Sequence, residues 1–317
     1  MRVLVTGGAG FIGSTTAEML LDLGHDVVAL DNLVRGRRDN VPGRATFVEG
    51  DYGDVRLIRS LGAFDACLHF GARIEPAESM TYPETFFANN VAQSLAMLEA
   101  LIATGTEKVV FSSSCAVYGN QVLMPIDESR ATGPASPYGQ SKLMVEQSLS
   151  WMAARGRLRY ASLRYFNAAG GTLAHPEQHS PEIHLIPLAM DAAMGRREVL
   201  SIFGTDYPTI DGTCVRDYIH VTDLADAHVR AIEALDKHSE LTVNLGTGTG
   251  SSILQVIDSV QRVTGRQVPV RAAERRPGDP AEAVASNILA REILGWAPQK
   301  SLLDNIVADA WVAHQTI

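Results

Sequence analysis

An apolar strand running straight into a glycine-rich turn restricts this chain more than any other feature. Arg2-Val3-Leu4-Val5-Thr6 is followed at once by Gly7-Gly8-Ala9-Gly10-Phe11-Ile12-Gly13. A helical pattern continues to about Leu23, with Gly24 as its stop, and Asp26-Val27-Val28-Ala29-Leu30 reads as a second strand closed by Asp31. The glycines fit both G-x-x-G-x-x-G (Gly7, Gly10, Gly13) and G-x-G-x-x-G (Gly8, Gly10, Gly13). Glycines let the backbone approach a pyrophosphate, and the N-terminus of the following helix stabilises that anion. Asp31 stands where a carboxylate would bind both ribose hydroxyls of an adenosine, and it would repel a 2′-phosphate. The expected cofactor is therefore NAD. Arg35, Arg37 and Arg38 lie just downstream and read as solvated loop residues, with a phosphate of NADP as the alternative partner. A merely structural tight turn is the competing explanation for the glycines.

Further strand-like runs follow at 45–48, 66–70, 108–112 and 158–165, with helical stretches around 55–61 and 89–104. This alternation predicts an α/β fold, a doubly wound parallel sheet with helices on both faces. Asp51, just past the third strand, is placed to accept from an adenine amino group, with loop capping as the competing role. His69 falls inside an apolar run and reads as a satisfied core histidine. Asn167, in the Arg164-Tyr165-Phe166-Asn167-Ala168-Ala169-Gly170 stretch at a strand end, is a candidate substrate residue; a turn-capping Asn is its plain alternative.

Pro137-Tyr138-Gly139-Gln140-Ser141-Lys142 supplies the chemistry that matches this cofactor site. Tyr138 and Lys142 are four apart, so a helix raises both from one face. An ammonium near a phenol favours the phenolate, and Tyr138 is expected below its ordinary pKa of about 10. It would then take a proton from a sugar or alcohol hydroxyl, with Ser114 bonding the same hydroxyl. A tyrosine and lysine at this spacing occur on many helices; the pair gains meaning from the glycine turn.

After Gly171 the character changes. Residues 172–184 carry His175, His179 and His184 without zinc-site spacing or cysteine partners, and read as a loop with no metal. A helix is expected over 185–194, strands over 198–203, 242–245 and 267–270, and helices opening near Thr222 and at Ser251-Ser252. Gly246-Thr247-Gly248 reads as a sheet-end turn. Arg275-Arg276-Pro277-Gly278-Asp279 and Arg216 together suit a diphosphate, because guanidinium forks match phosphate oxygens.

The 317 residues, 46% hydrophobic and 20% charged, are enough for two domains with a large core. A formal charge of −9 argues against nucleic acid or an anionic membrane as partner. No run of about 20 apolar residues is apparent. Cys67, Cys115 and Cys214 are odd in number and scattered, and no basic leader precedes Arg2. Both features lead us to expect a reduced, cytoplasmic setting.

Together these motifs resemble the extended short-chain dehydrogenase/reductase family, most closely its nucleotide-sugar 4-epimerases. The resemblance covers nearly the whole chain through GGAGFIG, DNL at 31–33, SSSCAVYG, SPYGQSKLMVEQ, LRYFNAAG, HLIP, IFGTDYPTIDGTCVRDYIHVTDLADAH and RRPGD. It implies a Rossmann-type NAD-binding domain over 1–167 with return segments at about 215–247. A smaller, mixed α/β domain for a UDP-sugar would then comprise mainly 168–214 and 248–317. It implies C4 epimerisation of a UDP-hexose with Ser114, Tyr138 and Lys142 as catalytic residues. The cofactor would lie against Gly7, Gly10, Phe11, Ile12, Gly13, Asp31, Asn32, Asp51, Tyr52, Phe70, Asn89, Tyr138 and Lys142. The substrate would lie against Ser114, Asn167, His184, Leu185, Phe203, Arg216, Arg276, Asp279 and Ala283. A homodimer formed through helices that include the Tyr-Lys helix is also implied. Ile74 stands where some relatives have a lysine, and Ala283 where some have a bulky gatekeeper. The methyl group leaves room for an N-acetyl substituent, so UDP-N-acetylglucosamine is an alternative substrate; UDP-glucuronate is another, whose carboxylate would need a donor near C6, such as Arg73, His184 or a backbone group. The alternative of another class is an NAD and nucleotide-sugar binding module without turnover. Cys115-Ala116 replaces the Asp-Glu of the related dehydratases, which leaves elimination without its acid.

Overall fold

Val3 and Val5 turn to one face of a central sheet and Leu4 to the other, the two-residue period of a strand buried on both sides. The computed structural model describes residues 1–276 and 278–316; Pro277, in the Arg-Arg-Pro-Gly-Asp turn, and Ile317 lie outside them. The sheet contains β1 (Arg2–Thr6), β2 (Asp26–Asp31), β3 (Thr46–Glu49), β4 (Ala66–His69), β5 (Lys108–Ser114), β6 (Arg159–Tyr165) and a seventh strand, Glu240–Leu245. All pairs are parallel, in the spatial order β3-β2-β1-β4-β5-β6 and then Glu240–Leu245. The order reverses between β1 and β4, where a doubly wound sheet opens a crevice at its carboxyl end.

On one face α1 (Phe11–Asp22) lies beside the helix Val221–Ala234, and Ala17, Leu20, Leu224 and Ile232 join Val3 and Val5 in one core. On the other face α2 (Val55–Ser60) and the helices Ser94–Thr104 and Pro137–Ala153 bury Ile58, Met97, Leu101, Val145 and Leu149 against Leu4 and Val28. The helical run Pro83–Thr104 is long and apolar enough to cross a membrane by length and composition. The sequence reading found no such run. Met97, Leu98, Ala100 and Leu101 are nevertheless packed in this core, so it is a core helix.

A third core, including Ile186, Met190, Leu200, Val256, Val260 and Ile306, joins the helices Leu185–Ala193, Ile253–Thr264 and Leu303–His314 to the pair Leu200–Phe203 and Val270–Ala273. Ser252 caps its helix with a reciprocal Gln255 box.

Several elements depart from the sequence expectation. The strand expected at 267–270 runs over Val270–Ala273, because Pro269 has no N–H for the ladder and contributes only its carbonyl, to Leu200 N at 2.8 Å. The helix expected from Asn89 begins at Pro83, in the first-turn position that proline favours, and passes through a π-helical segment, Phe87–Gln93. Helices Pro76–Thr81, Ile288–Leu294 and Leu303–His314 were not anticipated.

Candidate functional site

The glycine turn ends β1 at the crevice. Gly7 has φ +68°, and a Cβ there would meet Gly71 N at 2.7 Å. At Gly13 a Cβ would stand 2.2 Å from the Gly7 carbonyl oxygen, so only glycine lets α1 pack this close to the turn. Gly10 caps α1 without any side-chain hydrogen bond, which leaves the first-turn N–H groups to a ligand. Phe11 is buried and Ile12 packs on the core, so these two offer backbone rather than side chain.

Asp31 ends β2 with 9% of its surface exposed. Its carboxylate accepts from Ala9 N (3.0 Å) and Leu33 N (2.8 Å), and burial pushes its pKa up against those bonds. Asp51 accepts from Gly53 N at 2.8 Å, as a loop cap does, and also from Asn32 Nδ2 and Gln93 Nε2 at 3.4 Å. Gln93 accepts from Asn89 Nδ2 at 2.7 Å, and Tyr52 donates to the Asn89 carbonyl at 2.8 Å. Asn32, Asp51, Tyr52 and Asn89 thus form one network. Phe70 follows β4 and stacks on His228, ring centres 4.6 Å apart. Arg35 is held by Glu75 (3.0 Å) and by the Ser180 carbonyl (2.6 Å), and Arg38 lies over the Phe47 ring. Arg35 is thus the exposed loop residue expected, and it also ties two loops together.

Ser114 closes β5, and the helix Pro137–Ala153 starts with a Ser136 cap and Pro137 in its first turn. Tyr138 sits on that first turn, its N–H bonded to Ser79 Oγ at 3.1 Å. Lys142 is 2% exposed; its Nζ donates to the Ser112 carbonyl at 2.7 Å and lies 4.9 Å over the Phe111 ring. Burial pushes Tyr138 up to about 12, against a hydrogen bond to Ser114 that lowers it. Burial likewise pushes Lys142 down to about 7, with Glu146 opposing. The expected lowering of Tyr138 is thus overturned. Desolvation is the largest cause, and the Lys142 ammonium bonds the Ser112 carbonyl instead. His69 is the satisfied core residue expected, bonded to Thr6 Oγ1 (2.6 Å) and Ser94 Oγ (2.8 Å).

The second half meets this centre through Asp217. Asn167–Ala169 pairs with Tyr218–His220, and Asn167 N donates to the Asp217 carbonyl at 2.9 Å. The buried Asp217 carboxylate accepts from Thr247 N, Thr247 Oγ1, Gly248 N and Ala285 N at 2.6–3.2 Å. It gives the second glycine cluster its reason, a sheet-end turn. Ala283 pairs in register with Arg216, whose Nη2 is 3.8 Å from Asp279. Arg276 lies over the Phe203 ring at 3.9 Å. Arg275, expected beside it on a diphosphate, is instead bound to Asp206 at 2.7 Å and stacked on Tyr207.

His184 caps the helix that begins at Leu185. Its Nδ1 is 2.8 Å from Glu182 and 3.0 Å from Glu177. Burial opposes its charge, but the two carboxylates win and push it up to about 9. Glu177, His179, Glu182 and His184 bring one donor atom each within 4.8 Å of one another. Spacing among histidines alone did not foresee this, because two of the donors are glutamates. An imidazolium between two carboxylates accounts for the arrangement. Sequence reasoning also passed over Ser79, Asn90, Glu146, Arg164 and Asp217, whose partners are all distant in the chain.

A glycine-rich turn, an acid ending β2, and a half-buried tyrosine with a buried serine and lysine at one sheet edge define a nicotinamide-dependent enzyme acting on hydroxyl groups. Residues 3–246 match the NAD dependent epimerase/dehydratase family, and the chain belongs to it. A UDP-glucose 4-epimerase of Streptomyces lividans is 46% identical over 99% of this chain and 96% of its own length. A crystal structure of UDP-glucose 4-epimerase from Brucella ovis in complex with NAD superposes with a TM-score of 0.95 at 47% identity, covering 98% of this chain and 97% of that one. The Stenotrophomonas maltophila UDP-glucose 4-epimerase with bound NAD and formylated UDP-arabinopyranose gives 0.96 at 40% identity, covering 100% and 98%.

Proposed function

We propose that this protein interconverts UDP-glucose and UDP-galactose by NAD-dependent epimerisation at C4, with Ser114, Tyr138 and Lys142 as the catalytic group. The observation that carries the reading is the placement of buried Ser114 and Lys142 and half-buried Tyr138 at the carboxyl edge of the sheet, beside a turn only glycine can form. Bound NAD supplies the acceptor and donor of hydride and, when oxidised, a positive charge. Gly7–Gly13 and the first turn of α1 would hold its pyrophosphate, and Asp31 its adenosine ribose. Tyr138 removes the proton of the sugar 4-hydroxyl and returns it on the other face, while Ser114 orients that hydroxyl. Lys142 holds its charge close to the phenol. Arg216, oriented by Asp279, and Arg276 hold the diphosphate about which the 4-keto sugar turns, with Asn167, Leu185, His184 and Phe203 around the nucleotide.

UDP-N-acetylglucosamine is a second substrate, supported by the small Ala283 beside Arg216. UDP-glucuronate is less well served. Its carboxylate would need a free cation, whereas Arg73 is paired to Glu78 at 3.0 Å and His184 to two glutamates. The domain division at about residue 167, with 215–247 returning to the first domain, follows the third core. A homodimer through the Tyr-Lys helix is supported by Met144 and Trp151, seven apart and exposed on that helix. A cytoplasmic location is supported by three free cysteines.

The test gives the purified protein, without added cofactor, UDP-galactose, UDP-N-acetylgalactosamine or UDP-galacturonate and separates the C4 epimers. Turnover of the first two is expected, with a loss of about a thousandfold or more in Tyr138→Phe. No turnover of UDP-galactose, or a Tyr138→Phe variant within tenfold of the parent, overturns the reading.

A further inference from the structure

Glu146 follows Lys142 by one helical turn and Tyr138 by two, on the same face of the helix Pro137–Ala153. It is 5% exposed. Its Oε1 accepts from Ser113 Oγ at 2.5 Å and Arg164 Nε at 2.9 Å, and its Oε2 from Arg164 Nη2 at 2.5 Å. Ser113 is the neighbour of Ser114. Arg164 Nη1 continues to the Tyr118 hydroxyl at 3.0 Å, in the turn that follows Ser114, and Tyr118 donates to Asn244 Oδ1 at 2.7 Å. One carboxylate therefore ties together the helix of Tyr138 and Lys142, the strand of Ser114 and β6.

A buried ion pair is poor evidence of net stability, since a packed apolar pair of the same volume often does as well. Its place one turn behind Lys142 calls for another explanation. Lys142 faces Phe111 and the Ser112 carbonyl from β5, whose Ser113 and Ser114 pair with Arg164 and Tyr165 of β6. From β4 it faces His69, which burial holds neutral, and from its own helix Tyr138 and Glu146. Among these, Glu146 is the anion.

We propose that Glu146, clamped by Arg164 and Ser113, is a positioning residue that registers the Tyr138–Lys142 helix against Ser114 and keeps a compensating negative charge behind Lys142. This rests on the catalytic reading of Tyr138 and Lys142 given above. Burial pushes Lys142 down to about 7, and Glu146 works against that. A lysine that gives up its proton more readily loses its charge at lower pH. The alkaline limb of kcat then moves down.

The experiment is the kcat–pH profile of the NAD-loaded protein with UDP-galactose. Glu146→Gln keeps the volume and an acceptor but removes the charge. It is expected to lower kcat about tenfold near neutrality, leave KM within about threefold, and move the alkaline limb down by about one pH unit. Arg164→Met leaves the carboxylate facing Lys142 alone and is expected to move the limb up. A merely structural pair would lower the rate in both variants and move neither limb. That result overturns the proposal, as does a shift of both limbs in one direction. If Glu146→Gln does not fold, the Arg164→Met limb decides by itself, upward in support and unmoved against. A Tyr138→Phe control of near-parental activity would sink the catalytic reading, whereas an inactive control with unmoved limbs sinks only Glu146.

Discussion

Replacing Asp31 by Asn tests the cofactor site at its most specific point. An ionised carboxylate offers about four lone-pair directions. Two are already taken, by Ala9 N at 3.0 Å and Leu33 N at 2.8 Å. The two that remain match the two hydroxyls of one ribose. In Asp31→Asn the amide nitrogen cannot accept, so one backbone N–H faces another donor and one ribose hydroxyl loses its acceptor. Hydrogen bonds to a charged group contribute about 1.5–3 kcal/mol each. Part of the loop loss is shared by free and bound protein, so a net penalty of about 3 kcal/mol on NAD is reasonable, roughly a hundredfold in affinity. The same change removes a charge that repels a 2′-phosphate, so NADP loses less and the preference for NAD narrows at least about tenfold. Bound nucleotide can be read by absorbance after gel filtration of protein equilibrated with graded NAD or NADP. Retention of NAD within about threefold of the parent, or an unchanged NAD-to-NADP ratio, would refute the assignment of Asp31 to the ribose.

Ala283→Tyr fills the space beside Arg216 and is expected to cut kcat/KM for UDP-N-acetylgalactosamine at least about tenfold more than for UDP-galactose, measured side by side. Equal losses would mean that Ala283 does not border C2. His184 links stability to pH. Its folded pKa of about 9 lies above its unfolded value of 6.5, so its charge stabilises the fold below pH 6.5 and is lost as pH rises through 9, while Glu177, which burial pushes up to about 7, gives up its share of the pairing as pH falls below 7. Because the side chain is 31% exposed, the effect is discounted to about 1–2 kcal/mol. Urea unfolding of the parent and His184→Asn should differ most near pH 7 and converge above pH 9; a constant gap would remove the carboxylate clasp as its cause.

What could be read ahead of the structure was local. Gly7 to Gly13, the stop at Gly24 and Asp31 lie within one strand-helix-strand unit, where each residue's role follows from its neighbours. The strand over Val270–Ala273 slipped in the reading because apolar character continues across Pro269, and only the missing N–H shows where pairing can begin. Glu146, Arg164 and Asp217 were invisible for the opposite reason. Each is an ordinary charged residue in sequence, and its meaning comes from partners such as Ser113, Tyr118 and Ala285 that folding delivers. Arg275 and Arg276 are adjacent and alike, yet one is spent on Asp206 and the other lies over Phe203. No local pattern separates them.

The Tyr138–Lys142 pair shows how a sound spacing argument can carry a wrong physical expectation. Spacing put both side chains on one helical face, which is so, and the inference that the ammonium would lower the phenol treated the two charges as if in a uniform medium. Burial acts on both groups and in opposite directions, up to about 12 for Tyr138 and down to about 7 for Lys142, so each is driven toward its neutral form. The proton-accepting state, phenolate beside ammonium, must then be sustained by charges around the pair. On the protein's side the structure offers Ser114 as a donor to the phenol and Glu146 behind the lysine. In the proposed reading, Ser114, Tyr138 and Lys142 form the catalytic group, and Glu146 supports it as a positioning residue on the same helix. On our proposal, a residue to which the sequence reading gave no role bears on whether Lys142 keeps the proton on which Tyr138 depends.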